Sequence, residues 1–87
     1  MMLLGVLKNA EESCARVGIV TSRKVGSAVT RNRVRRRLRE IVRHERARFH
    51  DGMWIVIVAK VPAARVSFAA LREEWMQLAQ RGGIFRA

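Results

Sequence analysis

The sequence predicts an α+β fold, a small α/β sandwich in which two helices pack on one sheet in the order β-β-α-β-α. Three observations carry it. A β-branched run extends from Arg16 to Arg23, apolar residues repeat at helical spacing from about Val29 to Phe49, and residues 53–59 are uninterruptedly apolar. With 87 residues, 49% of them hydrophobic, the chain reads as one domain, 1–87, burying about 60% of its unfolded surface. A large self-contained catalytic pocket is not expected at that size.

Leu4, Val6 and Leu7, in a segment too short for a helix, predict a first strand within residues 1–8. Asn9 to Ser13 is polar and acidic and separates it from Arg16-Val17-Gly18-Ile19-Val20-Thr21-Ser22-Arg23, the second strand. The two are expected to be antiparallel. Val25-Gly26-Ser27 supplies a loop, and Ser27 or Thr30 a hydroxyl that caps the following helix. There Val34, Leu38, Ile41, Val42 and Phe49 fall within one narrow arc, the face expected against the sheet. Asp51-Gly52 marks the exit. Met53-Trp54-Ile55-Val56-Ile57-Val58-Ala59 suits a central strand buried on both faces. Pro62 ends it, and Ser67 caps a last helix whose Phe68, Leu71, Trp75 and Leu78 form a core stripe. A helical crossover between parallel strands is right-handed by default, but the pattern fixes neither its hand nor the strand order.

The charge is far from what folding requires. Eighteen Lys and Arg oppose seven Asp and Glu, a net +11, and all the cations except Lys8, Lys24 and Lys60 are Arg. The guanidinium fork matches phosphate oxygens and stacks on bases, so a polyanionic partner is implied. The charge is also local: between Arg16 and Arg48 the only acids are Glu40 and Glu45. At 100° per residue from Leu38, Asn32, Arg36, Arg39, Arg43 and Arg46 share one flank of the helix, Arg33, Arg37 and Arg48 the other, and Arg31 lies at the start, where free amides also favour phosphate. A solvated helix mixes signs to gain i,i+4 pairs, whereas Arg31 to Arg43 contains seven Arg and only Glu40 against them. Nucleic acid explains that pattern better than solvation. No second helix precedes this one as helix-turn-helix geometry needs, so RNA is favoured over a DNA groove. Phe49, Phe68 and Trp75 all read as core, which leaves shape and phosphate as the basis of recognition.

Other classes fail on inventory. The apolar runs fall well short of the roughly 18 residues a membrane span needs. The opening Met1-Met2-Leu3-Leu4-Gly5-Val6-Leu7 lacks the positive leader and cleavage site of a signal peptide. Cys14, the single cysteine, cannot form an internal disulfide, in keeping with a reducing compartment. A cytoplasmic location is expected. His44 and His50 make no metal set with Cys14, Ser22 and Ser27 have no evident base, no Gly-rich phosphate loop occurs, and Glu73-Glu74 diverge on their helix.

Lys24-Val25-Gly26-Ser27-Ala28-Val29-Thr30-Arg31-Asn32-Arg33-Val34-Arg35-Arg36-Arg37-Leu38-Arg39-Glu40 closely resembles the bacterial ribonuclease P protein subunit, which carries a K-x-G-x-A-x-x-R-N-R segment and an Arg-rich helix. The likeness takes in Arg16 to Val20, Trp54 to Ala59 and the final helix, and so nearly the whole chain after Leu3. It implies an accessory subunit of a ribonucleoprotein whose RNA cleaves the 5′ leader from precursor tRNA. The partners are then the catalytic RNA and precursor tRNA, with magnesium at the RNA active site and no cofactor held by the protein alone. RNA docking passes to Arg31, Asn32, Arg33, Arg35, Arg36 and Arg39, with Lys24, Arg43 and Arg46 as further RNA-binding cations. The resemblance also implies a left-handed βαβ crossover in place of the default.

One departure stands out. Members of the family usually begin with a helix and a short strand that bring aromatic residues to the cleft for the leader, and this chain is expected to lack them. Leu4, Val6 and Arg23 are the residues left for such a cleft. Uncovered sheet surface would then favour self-association without RNA. A non-catalytic structural RNA-binding protein, such as a ribosomal component, is the alternative from another class.

Overall fold

Residues 2–8 and 15–85 are described by the computed structural model. The elements are β1 (Met2–Lys8), β2 (Arg16–Thr21), α1 (Ala28–Glu45), β3 (Met53–Ala59) and α2 (Phe68–Arg81). Single 3-10 turns lie at Arg23–Val25, Arg46–Arg48 and Val61–Ala64. The predicted order is therefore present. The acidic connector Asn9 to Ser13 and Cys14 lie outside the described residues.

Strand order is β1-β3-β2, with β1 antiparallel and β2 parallel to β3. The first two strands do run in opposite directions, but they are not neighbours as a hairpin would make them. β3 is inserted between them, carried there by α1 as the crossover from β2. Met2 pairs with Ala59 and Lys8 with Met53 on one side of β3, and Arg16 with Trp54 and Thr21 with Ala59 on the other. Among the described residues β1 and β2 are thus the two edges.

Both helices cover the same face of the sheet, so β3 is buried on that face only. Met53, Ile55, Ile57 and Ala59 are in the core, whereas Trp54 and Val56 are 41% and 40% exposed. This corrects the expectation of burial on both faces. The outward positions are apolar too, and an apolar residue at every position hides the period of two that marks a half-covered strand.

Under the helices the core is continuous from Val34, Leu38, Ile41 and Val42 of α1 to Leu71, Trp75 and Ala79 of α2. Phe49, Trp75 and Phe85 close one end, with ring centroids about 6 Å apart. Phe49 joins that cluster from an isolated bridge with Phe85, since α1 stops at Glu45 and the predicted continuation is the Arg46–Arg48 turn. Phe68 does not reach the core. It sits at the first position of α2, 37% exposed, where the helix begins beyond the edge of the packed layer.

Ser27, not Thr30, caps α1: its Oγ accepts from the Thr30 amide at 3.3 Å. Ser67 does the same for α2 from Ala70 at 3.1 Å. Each cap contributes about 1 kcal/mol. Gly52 has φ 72° in the turn into β3, the left-handed region where a side chain would be strained.

Candidate nucleic-acid interface

Two opposing effects act on α1, and packing wins. Arg31 and Arg35, Arg33 and Arg37, Arg35 and Arg39, and Arg39 and Arg43 are like charges four residues apart, each pair costing about 0.2–0.5 kcal/mol. Its first turn has no acid to complement the helix dipole. Against this stand four buried aliphatic side chains, Val34, Leu38, Ile41 and Val42, each giving about 1.5–3 kcal/mol on burial. The sheet therefore holds as a helix a segment whose own charges disfavour it. Over 18 residues the rod is about 27 Å long.

The cations on this rod divide by what their guanidinium groups do. On one flank Arg33 donates to the Ala64 carbonyl and Arg37 to the Val66 carbonyl, both at 3.2 Å, tying α1 to the segment that leads into α2. Arg46, at the far end, donates to the Ala15 carbonyl at 3.0 Å. Arg48 pairs with buried Glu45 at 3.0 Å, and Arg72 of α2 approaches the same carboxylate at 3.6 Å. Arg48 also lies 4.3 Å from the centroid of Phe85. Arg43 pairs with Glu40 at 2.8 Å, and that hydrogen bond holds the exposed Glu40 carboxyl below the usual carboxylate range. Arg35 donates to the Asn32 side chain.

Arg31, Arg36 and Arg39 differ. Among the described residues none of the three has a hydrogen bond or ion pair within the chain. Arg36 and Arg39 are exposed on the flank that also carries Asn32, Arg43 and Arg46. Of the nine cationic or polar residues expected to bind RNA, the fold thus gathers Asn32, Arg35, Arg36, Arg39, Arg43 and Arg46 along one side. Arg33 is on the other flank and already engaged. Lys24 lies apart, exposed in the turn that follows β2 and precedes α1.

The flank with Arg39, Arg43 and Arg46 overhangs β2, and together with Val17, Ile19 and Val42 these side chains line a groove of about 400 Å³. The groove exists only once the fold lays α1 across β2, so residue spacing alone does not reveal it.

The residues expected at a leader cleft do not share one face. Leu4 and Val6 share the register parity of Ile57 and Ile55 and turn toward α2, where Gly82 packs beneath them. The residues of β1 on the uncovered face are Leu3, Gly5 and Leu7, beside Val58, Val56 and Trp54. Arg23 is exposed in the turn after β2. On the uncovered face Arg16 lies 5.9 Å from the Trp54 ring centroid, a cation and aromatic pair that sequence reading missed. The pair arises from the parallel register of β2 on β3, which residue spacing does not reveal.

The ribonuclease P family model matches residues 1–82. The ribonuclease P protein component of Symbiobacterium thermophilum is 41% identical over 81 residues, covering 93% of this chain and 70% of its own length. That of Roseiflexus sp. is 40% identical over 88 residues, covering 100% of this chain and 71% of its own. Among solved structures, the RNase P protein from Thermotoga maritima is 33% identical with a TM-score of 0.79, covering 92% of this chain and 76% of that one. The Staphylococcus aureus RNase P protein superposes at a TM-score of 0.89, covering 98% of this chain and 77% of that one, and at 24% identity shows a common fold.

Proposed function

This chain belongs to the ribonuclease P protein family, and from that premise we propose that it is the RNA-binding subunit of a bacterial ribonuclease P. It docks on the catalytic RNA and assists removal of the 5′ leader from precursor tRNA. One observation carries the reading: a helix held by the core presents Arg31, Arg36 and Arg39 with no partner among the described residues. A cationic rod of this kind displaces counterions from an RNA backbone and lowers the repulsion between RNA segments. The RNA does the chemistry. In this reading magnesium belongs to the RNA active site, and the protein's part is RNA binding. No described helix is long and apolar enough to cross a membrane, and we place the particle in the cytoplasm. Membership of the family favours processing over a structural role in a ribosome.

Reconstitution tests this. At low magnesium, adding the protein to its ribonuclease P RNA is expected to restore cleavage of precursor tRNA, with no cleavage by protein alone. Binding of the RNA without any gain in cleavage would leave only a structural role.

A leader strand crossing the sheet meets Leu3, Gly5, Leu7, Trp54 and Arg16 rather than Leu4 and Val6. Without RNA the same apolar face, with Leu3, Leu7 and Val20 all more than half exposed, is expected to drive self-association. Sedimentation velocity of the free protein should then show a mass that rises with concentration, and addition of the RNA should deplete the protein oligomers in favour of the protein–RNA complex. A monomer at every concentration removes this expectation.

A further inference from the structure

The groove between α1 and β2 has a composition that phosphate contact alone does not require. Its floor is Val17 and Ile19 of β2 with Val42 of α1, and its rim is Arg39, Arg43 and Arg46. The strand that forms its lower wall is a sheet edge, paired on one side only among the described residues. About 400 Å³ is at the small end of ligand pockets, enough for one nucleotide and too little for a duplex segment.

The three rim cations are not equivalent. Arg46 is fixed to the Ala15 carbonyl at 3.0 Å, so its guanidinium plane is held at the groove end. Arg43 shares its charge with Glu40 at 2.8 Å, and Arg39 has no partner among the described residues. An anion is drawn to Arg39, while an apolar floor under a fixed guanidinium suits the face of a base. RNA is commonly read through such splayed bases, stacked on aromatic or Arg planes.

We propose that the groove receives one unstacked nucleotide of the bound RNA, its base on Val17, Ile19 and Val42 and its phosphate toward Arg39. The inference rests on α1 being the RNA-binding helix. It adds a site that reads a single splayed residue rather than backbone charge.

Thr keeps the β-branched shape while making the floor polar, so V17T/I19T is the variant that separates the two claims. Affinity for the ribonuclease P RNA is expected to fall by roughly tenfold with the salt dependence unchanged, because no cation is lost. Wild-type affinity in this variant overturns the groove site. If R39A still weakens binding and flattens the salt dependence, the RNA-binding reading of α1 stands without it. If neither variant affects binding, both fail.

A second measurement needs no variant. In methyl NMR of the wild-type chain, adenosine monophosphate is expected to shift the Val17, Ile19 and Val42 methyls saturably, and ribose 5-phosphate to leave them in place. Equal shifts from both, or none from either, would mean that the floor does not take a base.

Discussion

Replacing Arg31, Arg36 and Arg39 together by alanine is expected to lower affinity for the ribonuclease P RNA by about a hundredfold at physiological ionic strength. The slope of log affinity against log salt should become shallower by about 3, one for each phosphate contact removed. These three are chosen because none has an internal partner among the described residues, so their truncation leaves no group of the fold unpaired. Removing them relieves the repulsion of Arg31 with Arg35, of Arg39 with Arg35 and Arg43, and alanine is the better helix former. The free protein should therefore be as stable as the parent or more so, by about 1 kcal/mol. Alanine at Arg33 and Arg37 should do the reverse. Those side chains donate to the Ala64 and Val66 carbonyls, and their loss loosens the segment leading into α2 while changing the salt slope less. Salt titrations by filter binding, with thermal melts of the free proteins, check both halves. If the two pairs of effects coincide, the division of the cations by their internal partners has no functional meaning.

The same residues show what the sequence made legible. In α1 the apolar residues are interrupted by charges, so the stripe of Val34, Leu38, Ile41 and Val42 stands out at a period of 3.6 and the two basic flanks follow from angle alone. What angle cannot supply is the partner: the carbonyls that take up Arg33 and Arg37 lie about thirty residues away and are set by where α2 begins. In β1 and β3 no polar residue marks the outer face. Leu3 and Leu4, or Val56 and Ile57, are equally apolar, so the strands were evident and their inward parity was not. Leu4 and Val6, the expected leader-cleft residues of β1, turn toward α2, and Leu3 and Leu7 lie on the uncovered face. Strand order was hidden for a related reason. β1 pairs with β3 across a long intervening stretch, and pairing at such distance depends on the path of α1 rather than on any local signal.

Leu38 tests the other half of the design, the packing that keeps the cationic rod in place. Its side chain is fully buried at the centre of the α1 stripe, and truncation to alanine is expected to cost about 2–5 kcal/mol. A domain of this size has roughly 5–15 kcal/mol in all, so the melting temperature should fall by roughly 10–30 °C. Leu38 faces away from any RNA on the outer flank, so the effect on binding is indirect. Saturating RNA binds only the folded chain and should return about 2.7 kcal/mol at a hundred times its dissociation constant, recovering much of the lost melting temperature. The salt slope should stay that of the parent, since every guanidinium is present once the chain refolds on the RNA. The Arg31, Arg36 and Arg39 variant must show the opposite: a normal melt alone and little gain from RNA. A changed salt slope in L38A, or full stabilisation of the triple variant by RNA, would mean that phosphate contact and helix packing are not carried by separate faces of α1.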